Sequence, residues 1–167
     1  IEEKDKLSKG FFDNTSLLKK IEEVRNIISQ KNEFLLKLSE KINEKRFKAI
    51  PEIQKQLNSI LSKLGMKNAK FKINLLPIDE LNEYGKAKLE LLFSSNLGSE
   101  FKPIKKIISG GELSRILLSI KFMISRKCSL PTIIFDEIDS GVSGSVANQI
   151  AVLMHSMSAS NQIFTIT

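Results

Sequence analysis

The sequence has one cysteine, Cys128, one histidine, His155, and no apolar run of membrane-spanning length. A single cysteine excludes an internal disulfide framework, and no cluster of histidine and cysteine has the spacing of metal ligands. Cys128 reads as an ordinary thiol near a helix end, and His155, beside Met154, as a packed or half-exposed side chain on a helix. The lack of a membrane-spanning run and of a signal peptide at the start points to a cytosolic protein. Residues 131–167 contain no lysine or arginine and three acidic residues.

What is present is basic charge elsewhere. The net charge is +7; residues 1–65 carry 14 basic and 10 acidic side chains, and residues 66–130 carry 12 and 6. Nucleic acid is therefore an allowed partner. Lysine-rich helices also serve simply as solvated faces, and no aromatic-studded basic strand or recognition helix points to base reading. At 167 residues the chain is long enough for one domain, but a long polar helical segment leaves only a small core.

That segment begins near Asn14, with Asn14, Thr15 or Ser16 as helix caps after a break at Gly10-Phe11-Phe12-Asp13. Leu17, Ile21, Val24, Ile28, Leu35, Leu38 and Ile42 follow heptad spacing, interrupted at Lys31. Such a narrow stripe suits one partner helix better than a broad core, the alternative being an ordinary amphipathic surface helix. A bend or break is expected near Ala49 to Pro51, and Gly65 caps the end. Phe71, Ile73 and Leu75, then Leu89, Leu91 and Phe93, alternate with polar residues as half-buried strands do, and Pro77 to Gly85 reads as a longish loop between them. Lys102, Lys105 and Lys106 form a small basic cluster in the loop that follows.

The chemistry lies between Lys106 and Ser143. Ser109-Gly110-Gly111-Glu112 has the form of a capping box, Ser109 accepting from the Glu112 N–H. The cap does not explain two adjacent glycines, each costing about 1 kcal/mol relative to alanine in a helix. Unpaired N–H groups at a helix start, stripped of Cβ atoms, let a phosphate approach closely, so a phosphate-binding turn is the second reading. The helix that follows places Leu113, Ile116, Leu117, Ile120 and Ile124 on one side and ends near Lys127. Pro131 to Phe135 reads as a strand of a parallel sheet buried on both faces, ending in Asp136 and Glu137. At the carboxyl edge of such a strand an aspartate can hold Mg²⁺, and the adjacent glutamate can orient and deprotonate a water. A helix from Ser143 or Gly144, with Val146, Ile150, Leu153 and Met157 inward, and a strand from Gln162 to Thr167 complete an alternating pattern.

These residues resemble a known family. Ser109-Gly-Gly-Glu112 is similar to the signature motif of ABC-type ATPases, Ile133-Ile-Phe-Asp136-Glu137 to their Walker B, and Asp139-Ser140-Gly141-Val-Ser143 to their D-loop. The fuller runs, with Leu64-Gly-Met-Lys-Asn-Ala-Lys-Phe71 and Leu92-Phe-Ser-Ser-Asn96, resemble the RecN family of bacterial DNA-repair proteins, relatives of the SMC proteins. The resemblance covers roughly the last hundred residues. It implies an α/β fold, the C-terminal lobe of an ABC/SMC-type ATPase head with a mixed sheet and flanking helices (65–167), plus a helical coiled-coil arm segment (1–64).

In such heads two copies sandwich ATP. The resemblance implies Ser109, Gly110 and Gly111, with Glu112 beside them, as donors to the γ-phosphate of the other copy, Asp136 as the Mg²⁺ ligand and Glu137 as the base. Asp139, Ser140 and Gly141 make the contact across the sandwich. The phosphate cradle G-x-x-x-x-G-K-[ST], Walker A, is absent. The only Gly-Lys pair is Gly85-Lys86, with Glu80 in place of the first glycine and Ala87 in place of the serine or threonine. The chain therefore looks like the C-terminal part of a longer protein, inactive alone, whose ATPase needs the N-terminal half of the head. The resemblance also puts the switch histidine of the head just after Thr167. The expected partners are ATP, Mg²⁺, that N-terminal half, a second head and DNA, with no membrane. The expected setting is double-strand-break repair and recombination in the cytoplasm, at the nucleoid. Two alternatives stand: a non-catalytic coiled-coil interaction module, and an ABC-type ATPase of another branch.

Overall fold

The computed structural model describes residues 2–106, 109–128, 130–136, 138 and 142–166, with side chains from residue 16 onward. The chain divides into two compact units: Ile1–Lys45 with Pro77–Ala87, and Arg46–Leu76 with Lys88–Thr167.

Helix α1 spans Glu2–Lys63 without interruption and contains Pro51. The helix is interrupted neither at Gly10 to Asp13 nor at Ala49 to Pro51, where the sequence predicts a bend or break. A glycine such as Gly10 costs about 1 kcal/mol, too little to stop a propagating helix. Pro51 removes one hydrogen bond at about 3 kcal/mol, but Ile50 before it and Leu57 and Leu61 after it pack into one core. Burial on both sides of the proline holds the helix through the defect. The helix ends where expected. Gly65 has φ 81°; its N–H donates to the Ser62 carbonyl and the Met66 N–H to the Leu61 carbonyl at 3.0 Å, the paired bonds of a Schellman stop.

In the first unit the heptad residues of α1 all face solvent: Leu17, Ile21, Val24, Ile28, Leu35, Leu38 and Ile42 are each at least 37% exposed. No described residue covers this stripe. On α1 one polar side chain, Ser39, is buried, and its Oγ accepts the Lys86 N–H at 2.7 Å. Lys86 lies at the tip of a hairpin formed by β1 (Lys70–Asn82) and β2 (Gly85–Ser94). A Cβ on Gly85 would stand 2.8 Å from Ser39 Oγ, so the close approach requires glycine. The expected longish loop is therefore a correction: β1 continues past Pro77 and only Glu83 and Tyr84 connect the strands. Proline fits because β1 is an edge strand of the sheet β1-β2-β3, where one side of the backbone needs no ladder donor.

In the second unit β3 (Lys102–Pro103) pairs antiparallel with the end of β2. Phe71, Ile73 and Phe93 pack with Leu57 and Leu61 of α1 and with Ile116 of α2 (Gly110–Ser125). Leu89, expected on the buried face, is 53% exposed. The free edge of β1 is closed by helix side chains, since Asn58 Oδ1 accepts the Phe71 N–H and Gln54 Oε1 the Ile73 N–H, each at 2.7 Å. Pairing the edge donors in this way removes a template for aggregation.

A second core joins Leu64, Leu118 of α2, Ile133 and Phe135 of β4 (Thr132–Asp136), and Ile150 and Met157 of α3 (Gly144–Ser158). Strand β5 (Gln162–Ile166) pairs parallel with β4, Ile134 opposite Phe164 and Asp136 opposite Ile166. The parallel βαβ expectation holds. Two of its details do not. On α2 it is Leu118 that is fully buried, while Leu117 and Ile124 are more than 40% exposed, because the helix sits between two cores and not against one. Strand β4 is buried on one face only: Ile134 is 56% exposed, and Phe164 and Ile166 of β5 are 50% and 57% exposed.

Candidate functional site

Ser109 precedes α2 in extended geometry, φ −84° and ψ 118°, and its side chain accepts from the Glu112 N–H at 3.4 Å. Its carbonyl receives the Leu113 N–H at 3.0 Å, so the forward half of the capping box is formed. Ser109 and Gly110 are exposed, and Gly111 and Glu112 are partly covered. A Cβ built on Gly110 would meet nothing within 4 Å. Neither packing nor backbone conformation within this chain calls for glycine there. The turn thus offers the unpaired N–H groups of a helix start with open space in front of them, which fits an incoming phosphate oxygen.

Asp136 ends β4 and is exposed. No hydrogen bond or ion pair holds its carboxylate among the described residues. A free carboxylate at the carboxyl end of a parallel strand has the chemistry of a Mg²⁺ ligand. The expected base Glu137 and the D-loop residues Asp139, Ser140 and Gly141 lie outside the described residues, as does Thr167. Between them Ile138 is buried in the second core. Ser143 caps α3 with φ −77° and ψ 160° and makes no side-chain cap bond. Lys102, Lys105 and Lys106 are exposed. Among the described residues no hydrogen bond or ion pair joins the Ser109 turn to Asp136.

Arg115 follows Glu112 by one turn of α2. Its Nε is buried and unpartnered, and with Glu112 it lines a polar cleft of about 330 Å³ together with Gly65, Met66, Lys67, Asn68, Ser95 and Asn96. The signal available in the sequence was its spacing, since Glu112 and Arg115, three apart, share a helix face. Among the described residues no helix is long and apolar enough to cross a membrane, and no group of three or more histidine, cysteine or acidic residues is placed to hold a metal.

No family model matches the chain. Among curated proteins it is 36% identical over 131 residues to the DNA repair protein RecN of Rickettsia bellii, covering 78% of this chain and 24% of that one. It is 36% identical over 131 residues to the DNA repair protein RecN of Bacillus subtilis, covering 72% and 23%. With the protein of the same name from Aquifex aeolicus the identity is 38% over 108 residues, covering 65% and 20%. The chain therefore spans about a quarter of the length of these relatives. Among solved structures, the Smc head domain with a coiled coil and joint from Pyrococcus yayanosii aligns with TM-score 0.57 at 23% identity, covering 81% of this chain and 25% of that one. An Smc head domain with an extended coiled coil from Pyrococcus furiosus, bound to the C-terminal domain of ScpA, aligns with TM-score 0.54 at 24% identity, covering 79% and 31%. The fold is that of an SMC-type head, mixed sheet and helices with a long helix fit for a coiled-coil arm. The signature-like turn, the strand ending in Asp136 and the sequence match together place the chain in the RecN family, as a C-terminal portion of it.

Proposed function

We propose that residues 65–167 are the C-terminal lobe of an ATPase head, and residues 1–64 part of its coiled-coil arm, in a protein that acts in DNA double-strand-break repair and recombination in the cytoplasm. The observation that carries this is the Ser109 turn: a capped helix start whose Gly110 faces open space. Its exposed N–H groups suit a phosphate of a nucleotide held by a second head.

Bound ATP supplies the γ-phosphoryl group, and Mg²⁺ offsets its developing charge. Ser109 Oγ and the N–H groups of Gly110 and Gly111 donate to the γ-phosphate in trans, with Glu112 completing the turn. Asp136 holds the metal, Glu137 orients and deprotonates the attacking water, and Asp139, Ser140 and Gly141 contact the opposite head. The chain has no Walker A, so the N-terminal half of the head must supply it. The exposed apolar face of Ile134, Phe164 and Ile166 supports such an added layer, because parallel sheets are stable when covered on both faces.

The test is complementation in the full-length protein. Ser109→Arg fills the phosphate turn and removes the cap at about 1 kcal/mol, leaving folding largely intact, and a Walker A variant loses the other half of the site. Each alone is inactive, whereas mixed heterodimers regain one competent site. No activity above the separate variants, with heterodimers demonstrably formed, refutes the shared site.

A further inference from the structure

We propose that the solvent face of the β1-β2 sheet, through Lys70, Lys72 and Lys88, is a docking surface for the phosphate backbone of duplex DNA. This rests on the DNA-repair reading above and adds a surface to it.

The faces of the sheet follow from burial. Phe71, Ile73 and Phe93 are under 10% exposed and point into the first core, so their sequence neighbours point out. A side-chain bond from Asn74 Nδ2 to Glu90 Oε2, 3.1 Å, puts the even-numbered residues of the two strands on a common outer face. In the second unit that face carries Lys70, Lys72, Asn74, Lys88 and Glu90, and all three lysines are exposed. None of the three forms an ion pair among the described residues, whereas Lys37 on α1 pairs with Glu33 at 2.6 Å. Glu90, the one acidic side chain on the face in this unit, accepts from Asn74 and keeps its charge, so the lysines outnumber the carboxylate three to one. Lys72 Nζ lies 5.8 Å from the centre of the Phe101 ring, so an aromatic borders the lysines.

An ordinary solvated face mixes signs, as α1 does. This one carries an excess of cations, three lysines to one carboxylate, with Lys70 and Lys72 two residues and so about 7 Å apart. Flexible ammonium groups at that spacing suit successive phosphates without base contacts, which is sequence-independent binding. The relatives named for DNA repair make duplex DNA the polyanion of choice.

The test is the salt dependence of duplex binding by the full-length protein, read by fluorescence anisotropy of a labelled random-sequence duplex. Each phosphate contact contributes about 0.9 to the slope of log K against log salt. The triple variant Lys70→Gln, Lys72→Gln, Lys88→Gln therefore lowers the slope by about 2 to 3. The triple arginine variant keeps the parental slope. A triple glutamine variant at Lys19, Lys20 and Lys31 of the arm, with the same change in net charge, also keeps it. The proposal is overturned if the sheet variant keeps the parental slope while folded by circular dichroism, if the arm variant loses as much, or if the lysines affect only binding to anionic vesicles. ATP turnover measured without DNA separates the two ideas. A protein with no turnover but a lysine-dependent slope sinks the ATPase reading and leaves this surface standing, and the reverse result sinks the surface alone.

Discussion

Two glycines with the same backbone strain and different surroundings allow the packing at the end of α1 to be measured. Gly65 has φ 81° and Gly98 has φ 79°, so alanine at either adopts a left-handed conformation costing about 1–2 kcal/mol. The surroundings differ. A Cβ at Gly98 meets nothing within 4 Å, but at Gly65 it stands 2.8 Å from Val146 Cγ2. Val146 is β-branched and packed against the second core, so it has no alternative rotamer to retreat to and α3 or the turn must shift. Overpacking of this kind costs about 1–3 kcal/mol. Gly98→Ala is expected to destabilise by about 1–2 kcal/mol and Gly65→Ala by about 2–5 kcal/mol. Both substitutions restrict the unfolded chain to the same extent, which cancels in the difference. Urea unfolding followed by circular dichroism measures it as a shift in midpoint at unchanged slope. Equal shifts for the two variants, or a larger one for Gly98→Ala, refute the account of how α1 is anchored by the second core.

The other predictions concern chemistry and assembly. In the full-length protein Glu137→Gln keeps shape and removes basicity, so ATP turnover falls by 10²–10⁴-fold, roughly 3–5 kcal/mol of barrier, while nucleotide still binds. In the proposed sandwich, where ATP joins the heads, this variant is expected to accumulate as an ATP-bound dimer by light scattering, whereas Asp136→Asn weakens Mg²⁺-dependent nucleotide binding and does not. Parental turnover in Glu137→Gln removes Glu137 from the catalytic role. The 167-residue chain by itself neither binds ATP tightly nor hydrolyses it, and micromolar affinity in calorimetry contradicts the half-head reading. Ile134→Ser with Phe164→Ser, a cross-strand pair, costs this chain about 1–2 kcal/mol and weakens co-purification with the N-terminal half while the chain stays folded by circular dichroism; undiminished co-purification shows that this face is not the joint.

Much of the site was legible because it is written in local chemistry. Ser109 caps α2 and Gly65 stops α1 through bonds that span only a few residues, and such bonds depend on residue type and order alone. The alternation that places Phe71, Ile73 and Phe93 inward is likewise a property of the extended chain, as is the clustering of Ser109 to Glu112 and Asp136 in two short runs. Tertiary structure decided what depends on contacts distant in sequence. Pro51 stays helical because the partly buried Ile50 before it and the buried Leu57 after it pack into one core. The hairpin extends past Pro77 because β1 is an edge, and a hydrogen bond from the Lys86 N–H to Ser39, 47 residues away, ties its tip to α1. Leu118 replaces Leu117 as the buried residue of α2 because two cores, and not one, flank the helix. The apolar run of β4 suggests burial on both faces, yet Ile134 is exposed. Composition records that a strand has two apolar faces, and only the arrangement of neighbouring elements determines which of them this chain covers.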